Sequence, residues 1–297
     1  MADIPLRPRS ATEIVDAAFQ LYRGHAAAIL VVTGIAYTPS LILQLVLVGT
    51  AASMQAAMTT ALATAPLLLV ASWLVGIVAG ALMGGVLAHI TADAYLGRGV
   101  DAGAAFRAAM PRIPALIGSM ILKVLAVMIP VFIAGIVVSI FAGLLAPTLG
   151  RLHLNPITVG ILVLVALAAI AAAAVYMLAL LFATTPVVVL ERKGPLEAFG
   201  RSASLSAAGR GRIAAALLLV FFVVGVVVIG FQLVAQLAGR AVIQVIVAHV
   251  LYTIAFPLYA VAETLLYYDA RIRVEALDVE LLAGALDADR PPEAVAR

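Results

Sequence analysis

The sequence contains no cysteine, which excludes disulfides, thiolate metal centres and a cysteine nucleophile. Charge is almost as scarce. Only 11% of residues are Asp, Glu, Lys or Arg, against about 25% in soluble domains, too few to cover a water-facing surface. Histidine occurs four times, at His25, His89, His153 and His249, never at metal-ligand spacing. Neither H-E-x-x-H nor G-x-S-x-G is present, so the sequence offers no sign of zincin or serine-hydrolase chemistry. No cofactor is expected, no nucleic-acid partner and no catalytic activity. The first residues, MADIPLRPRSATEIVDAAFQLYRG, carry acids at Asp3, Glu13 and Asp16 and no early apolar run, so a cleaved signal peptide is not expected.

What is abundant is apolar sequence. Sixty-five per cent of the 297 residues are hydrophobic and the mean hydropathy is +1.19. A helix needs about 20 apolar residues to cross a bilayer, and six stretches are long enough: 26–49, 61–90, 114–146, 157–190, 212–238 and 241–268. The expected fold is all-α, a single polytopic domain over 1–283, with a disordered tail over 284–297. Pro39, Pro66, Pro130, Pro186 and Pro257 interrupt five of the spans, as structural kinks or as hinges.

The basic residues are one-sided. Arg7, Arg9, Arg23, Arg98, Arg107, Arg112, Arg192, Lys193, Arg201, Arg210, Arg212, Arg271 and Arg273 fall on one side of the spans, with Arg290 and Arg297 in the tail. Arg151 and Arg240 fall on the other, and Lys123 lies within a span. Basic residues in short loops favour the cytoplasmic side, so both termini are expected there. The outer connections, GTAASMQAAMTT, APTLGRLHLNP and LAGRAV, are short and poorly charged.

The cytoplasmic ends of the even-numbered spans echo one another. They read HITADAYLGRGV, FATTPVVVLERKG and AETLLYYDARIRV, with threonine seven residues before arginine each time: Thr91 and Arg98, Thr185 and Arg192, Thr264 and Arg271. Each odd-numbered span follows a short segment containing Ala-Phe: Ala18-Phe19, Ala105-Phe106 and Ala198-Phe199. A threefold repeat of one short helix and two spans follows, with interfacial helices over about 10–23, 101–111 and 195–208. Ser10 and Glu13 form a capping-box pattern, and Pro195 with Glu197 suits a first turn. Such helices lie in the membrane interface or pack across the inner ends of the spans.

Between lipid tails, helices associate through small residues. Gly76, Gly80 and Gly84 form one strip, and Gly135, Ser139 and Gly143 another; both read as contact faces within the chain or between copies. Trp73 reads as packing or an interface anchor. Charges inside spans mark candidate function. Glu263 and Lys123 stand at similar depth and are expected to pair, while His89 and Asp93, spaced i,i+4, can touch as a structural pair or form a proton relay or substrate contact. His249 reads as a polar group held between helices. Tyr267 and Tyr268, followed by Arg271 and Arg273, read as an interfacial anchor or as contacts to lipid headgroups or a partner, with Arg98 and Arg192 as further contacts of that kind.

RSATEIVDAAFQLYRGH, TPVVVLERKGPLEAFGRSASLSAAGRGRI and ETLLYYDARIRVEALDVELLA together resemble the bacterial membrane domain associated with glycerophosphoryl diester phosphodiesterases, over residues 8–283. Some members of that family fuse the membrane domain to a catalytic barrel. This chain lacks the barrel's His-Arg pair and acidic cluster, so the resemblance implies an architecture in a bacterial plasma membrane and transfers no catalytic residue. The function expected is a non-catalytic scaffold or regulatory module that contacts membrane lipids and a protein partner. The alternative is a transporter or lipid-handling protein with an inner-leaflet polar site.

Overall fold

The computed structural model describes residues 7–49, 66–151, 156–207 and 209–280, together with residues 55, 56, 58, 59, 62 and 283. We number ten helices among them: α1 (Ala11–Gly24), α2 (Ala26–Val48), α3 (Pro66–Tyr95), α4 (Ala102–Ala109), α5 (Ile113–Arg151), α6 (Pro156–Leu180), α7 (Thr184–Leu190), α8 (Pro195–Ser206), α9 (Arg210–Leu237) and α10 (Ala241–Glu275). No strand occurs among the described residues. Six helical segments are long and apolar enough to cross a membrane, which makes this a multi-pass membrane protein. The expected tail over 284–297, His153, and most of the connection after α2 lie outside the described residues.

The helices come in three rounds of one short helix and two spans. Because consecutive spans reverse direction, α1, α4 and α8 all gather at one end of the bundle, here called the helix-capped end. Each short helix is set by its first residues. Ser10 accepts from the Glu13 N–H while Glu13 accepts from the Ser10 N–H at 2.7 Å, a complete capping box. Asp101 accepts from the Gly103 and Ala104 amides ahead of α4. Pro195 opens α8, with the Glu197 carboxylate on the Gly194 N–H.

These helices pack across the ends of the spans. α1 buries Ile14, Val15, Ala17, Ala18 and Leu21, and the alanine of each Ala-Phe pair is buried: Ala18, Ala105 and Ala198. The small side chain marks the same register in all three, where helix backbone approaches the bundle closely.

The spans differ from the expected bounds in informative ways. The residues just before Pro66 lie outside the described residues, so α3 is described from Pro66 onward, whereas Pro39, Pro130 and Pro257 are carried inside continuous helices. The fourth stretch, expected as one run over 157–190, breaks between α6 and α7. Pro186 has no N–H to give the Phe182 carbonyl, its ring crowds that carbonyl, and it disfavours helical geometry at Thr185. The helix therefore stops at Leu180 and restarts at Thr184. Ser202 of α8 repairs the gap: its hydroxyl accepts from the Ala183 N–H at 3.0 Å and donates to the Leu180 carbonyl at 2.9 Å. α3 and α10 run past their expected ends, to Tyr95 and Glu275, because the short helices cover those last turns.

One glycine strip is a contact face. A Cβ at Gly84 would come within 3.1 Å of the Thr185 methyl, one at Gly80 within 3.5 Å of the Tyr37 hydroxyl, and one at Gly76 within 3.8 Å of Ser40 Oγ. α3 is thus pressed against α2 and α7 of the same chain. Gly85, beside the strip, is tighter still, with Leu116 at 2.8 Å. The second strip meets no neighbour among the described residues. Nothing described lies within 4 Å of a Cβ at Gly135 or Gly143, and Ser139 turns its hydroxyl back to the Gly135 carbonyl. Small residues on a face permit close approach without supplying a neighbour.

Candidate functional site at the helix-capped end of the bundle

Three polar constructions occupy the helix-capped half. Deepest is the pair expected from depth alone. Lys123 Nζ of α5 lies 2.8 Å from Glu263 Oε1 of α10 and 3.4 Å from the Tyr259 hydroxyl. The Lys123 and Glu263 side chains are 16% and 4% exposed, so the attraction acts with little water to screen it. Burying one of these charges without the other would be strongly unfavourable.

Nearer the short helices, Asp269 is a hub. Its carboxylate accepts the Arg9 backbone N–H at 2.7 Å, Arg212 at 2.8 Å and Arg273 at 3.1 Å. The Arg9 carbonyl in turn accepts from Arg273 at 2.9 Å, and the Arg9 guanidinium stands over the Tyr95 ring. One carboxylate therefore ties the segment before α1 to α9 and α10, with α3 alongside.

The third construction is a closed ring. Glu191, just after α7, receives Arg201 Nε of α8 at 3.0 Å on both oxygens. Arg201 reaches on to Glu275, Glu275 receives Arg271 at 2.8 Å, and Arg271 donates to the Tyr267 hydroxyl at 3.3 Å. Tyr267 donates back to Glu191 at 3.1 Å. The two carboxylates and two guanidinium groups balance, and Lys193 adds a further cation at 3.1 Å from Glu191. The Glu275 carboxylate first, and Glu191 after it, raise the affinity of Arg201 for its proton against the opposing effect of partial burial. Such multiply bonded arginine geometry, each guanidinium bridging two partners, holds elements in register.

The ring changes the reading of the sequence motif that ends the last span. Tyr267 and Tyr268 are 1% and 6% exposed. They are enclosed by protein, Tyr268 against Tyr95 with ring centroids 5.2 Å apart, and do not stand at the headgroups as an anchor. Arg271 and Arg273 turn inward to Glu275 and Asp269. Arg98 is exposed and reaches Asp93 at 3.8 Å. Arg192 is exposed in a left-handed turn and makes no ion pair among the described residues.

No hydrogen bond or ion pair joins His89 to Asp93 among the described residues, and Asp93 has its ion pair with Arg98. Lys123 and Glu263 form one group, while His89 and Asp93 belong to another, beside Arg98 and Arg192. His249 lies far from both constructions, edge-on to Tyr37 with ring centroids 6.3 Å apart.

Sequence reasoning did not single out Glu191, Arg201, Glu275, Asp269, Arg212 or Arg9. Part of the signal was present: Arg271 with Glu275, Asp269 with Arg273, and Tyr267 with Arg271 are i,i+4 pairs on one helix. The links to Glu191, Arg201, Arg212 and Arg9 depend on how separate helices pack. The carboxylates of the ring and hub already meet donors, so the arrangement is suited to fixing helix ends and does not present an unengaged base. Trp73 stands exposed on α3 near the opposite end. Among the described residues no group of three metal-ligating side chains assembles. Compared with known proteins, the chain matches no family model, no curated protein and no solved structure.

Proposed function

We propose that this chain is a non-catalytic membrane module, a scaffold or regulatory subunit of a membrane complex. In this reading it lies in the plasma membrane of a bacterium, with both termini and the three short helices on the cytoplasmic side and a protein partner at that face. Its resemblance to the membrane domain associated with glycerophosphoryl diester phosphodiesterases belongs to the same proposal.

The observation that carries the reading is the closed ring of Glu191, Arg201, Glu275, Arg271 and Tyr267. The polar groups of the ring bind one another and lock α7, α8 and α10 into a platform. An apolar side chain remains exposed on α8, Leu196 at 76%, which suits a surface covered by lipid and a partner.

A second reading, a transporter or lipid-handling protein, is favoured by the Lys123–Glu263 pair, since intramembrane charges often serve translocation. One series separates the two. Under the scaffold reading, Glu263→Gln or Lys123→Met alone lowers thermal stability in detergent by about 3–5 kcal/mol. The double variant recovers part of that loss, because no buried charge is left alone. A transport role predicts in addition that flux is lost in each single variant and stays lost in the double variant, whose stability recovers.

A further inference from the structure

At the end opposite the short helices, α2, α3 and α10 part to form a cavity of about 560 Å³. This lies in the range of about 300–1,000 Å³ typical of small-molecule sites. Its walls include Tyr37, Gln44, Ser72, His249 and Tyr252, with Trp73 at the mouth, 71% exposed. Among the described residues no charged side chain lines it.

From the geometry we infer that this cavity holds one acyl chain of a membrane glycerolipid, with the lipid's uncharged ester region on Ser72 and His249. The site stands whether or not the chain has a protein partner. Two observations carry it.

The first is polar groups left without partners. Ser72 is 9% exposed and makes no hydrogen bond among the described residues. Other hydroxyls on these spans do bond: Thr33, Thr38 and Ser139 each return theirs to the carbonyl four residues back. Neither ring nitrogen of His249 is hydrogen-bonded among the described residues, and its ring faces the cavity beside Tyr37. Within a bilayer such groups are unfavourable unless a ligand meets them. A hydroxyl donor and an imidazole lining one cavity match the carbonyl oxygens of an ester. The absence of a cation disfavours a phosphate there.

The second is depth. Lining residues on α2 run from Tyr37 to Val48, roughly 16 Å at the helical rise. That is about half of a 30 Å hydrocarbon core, one leaflet. The neighbouring Ile42, Val46 and Leu67 are exposed on the outer surface of the bundle, so an occupant enters sideways from that leaflet.

Trp73 is the sole tryptophan, so its fluorescence reports on the mouth alone. Delipidated protein in detergent would be titrated with phosphatidylcholine brominated on its acyl chains. Quenching is expected to saturate near one lipid per chain. Ala248→Phe fills the cavity from an exposed alanine of its wall and should abolish the saturable phase. Val226→Phe, exposed on α9, adds the same ring elsewhere and should preserve it. Ser72→Ala should raise the half-saturating lipid concentration several-fold. Quenching that only follows the lipid fraction of the micelle, without saturation, overturns the inference. So does a saturable phase that survives Ala248→Phe.

Discussion

The Ser202 hydroxyl shows how much one atom can carry inside a membrane. It is fully buried in α8, yet it supplies both the acceptor for the Ala183 N–H and the donor for the Leu180 carbonyl where Pro186 has ended the helix. With no water to replace it, Ser202→Ala leaves two buried backbone groups unpaired. Each such group costs about 1–3 kcal/mol. The variant should lower the unfolding midpoint in detergent and raise proteolysis between α6 and α7, whereas Ser204→Ala, at an exposed position on the same helix, should change neither. Pro186 was visible in the sequence as an interruption. That a serine from another helix would repair it was not, because the repair depends on where α8 lands.

At the scale of the element, α1 shows how a short helix is held at the end of the bundle. Its start is fixed by the Ser10–Glu13 box and by Arg7, which bonds Glu13. The Ser10 backbone N–H foremost, and then Arg7, lower the Glu13 carboxyl from 4.5 to about 2. A carboxyl with a depressed folded value stabilises above its unfolded value and loses that contribution as pH falls. Amide exchange in the first turn of α1 should therefore be slow above about pH 4.5 and quicken progressively toward pH 2, relative to α8. Glu13→Gln should remove that pH dependence. The capping box, the three short helices and the Lys123–Glu263 pair were all legible, because each rests on local spacing or on depth along a span. Two readings needed more than one helix can show. A strip of small residues around Gly135 and a Tyr-Tyr pair at a helix end describe one face of one helix. Whether that face meets lipid or protein is decided by its neighbours, which left Gly135 open and enclosed Tyr267 and Tyr268.

Across the whole molecule, charge is concentrated at the helix-capped end and largely satisfied there. Asp269 joins the start of the chain to α9 and α10, and the Glu191–Arg201–Glu275–Arg271–Tyr267 ring joins α7, α8 and α10. The absence of cysteine makes sidedness directly measurable. Single cysteines at exposed Arg23 and Arg240 stand at opposite ends of the bundle. In intact cells an impermeant maleimide should label the Arg240→Cys chain and spare the Arg23→Cys chain until the membrane is opened; the reverse pattern would invert the proposed orientation. The central claim, that the ring builds a platform for a partner, is tested most directly by native mass spectrometry. The wild-type chain, gently extracted from its own membrane, would be compared with Leu196→Glu, which places a charge on the exposed apolar surface of α8. The account predicts a stoichiometric partner polypeptide on the wild type, lost in the variant while the chain stays folded. A wild-type chain that carries lipid alone would contradict it.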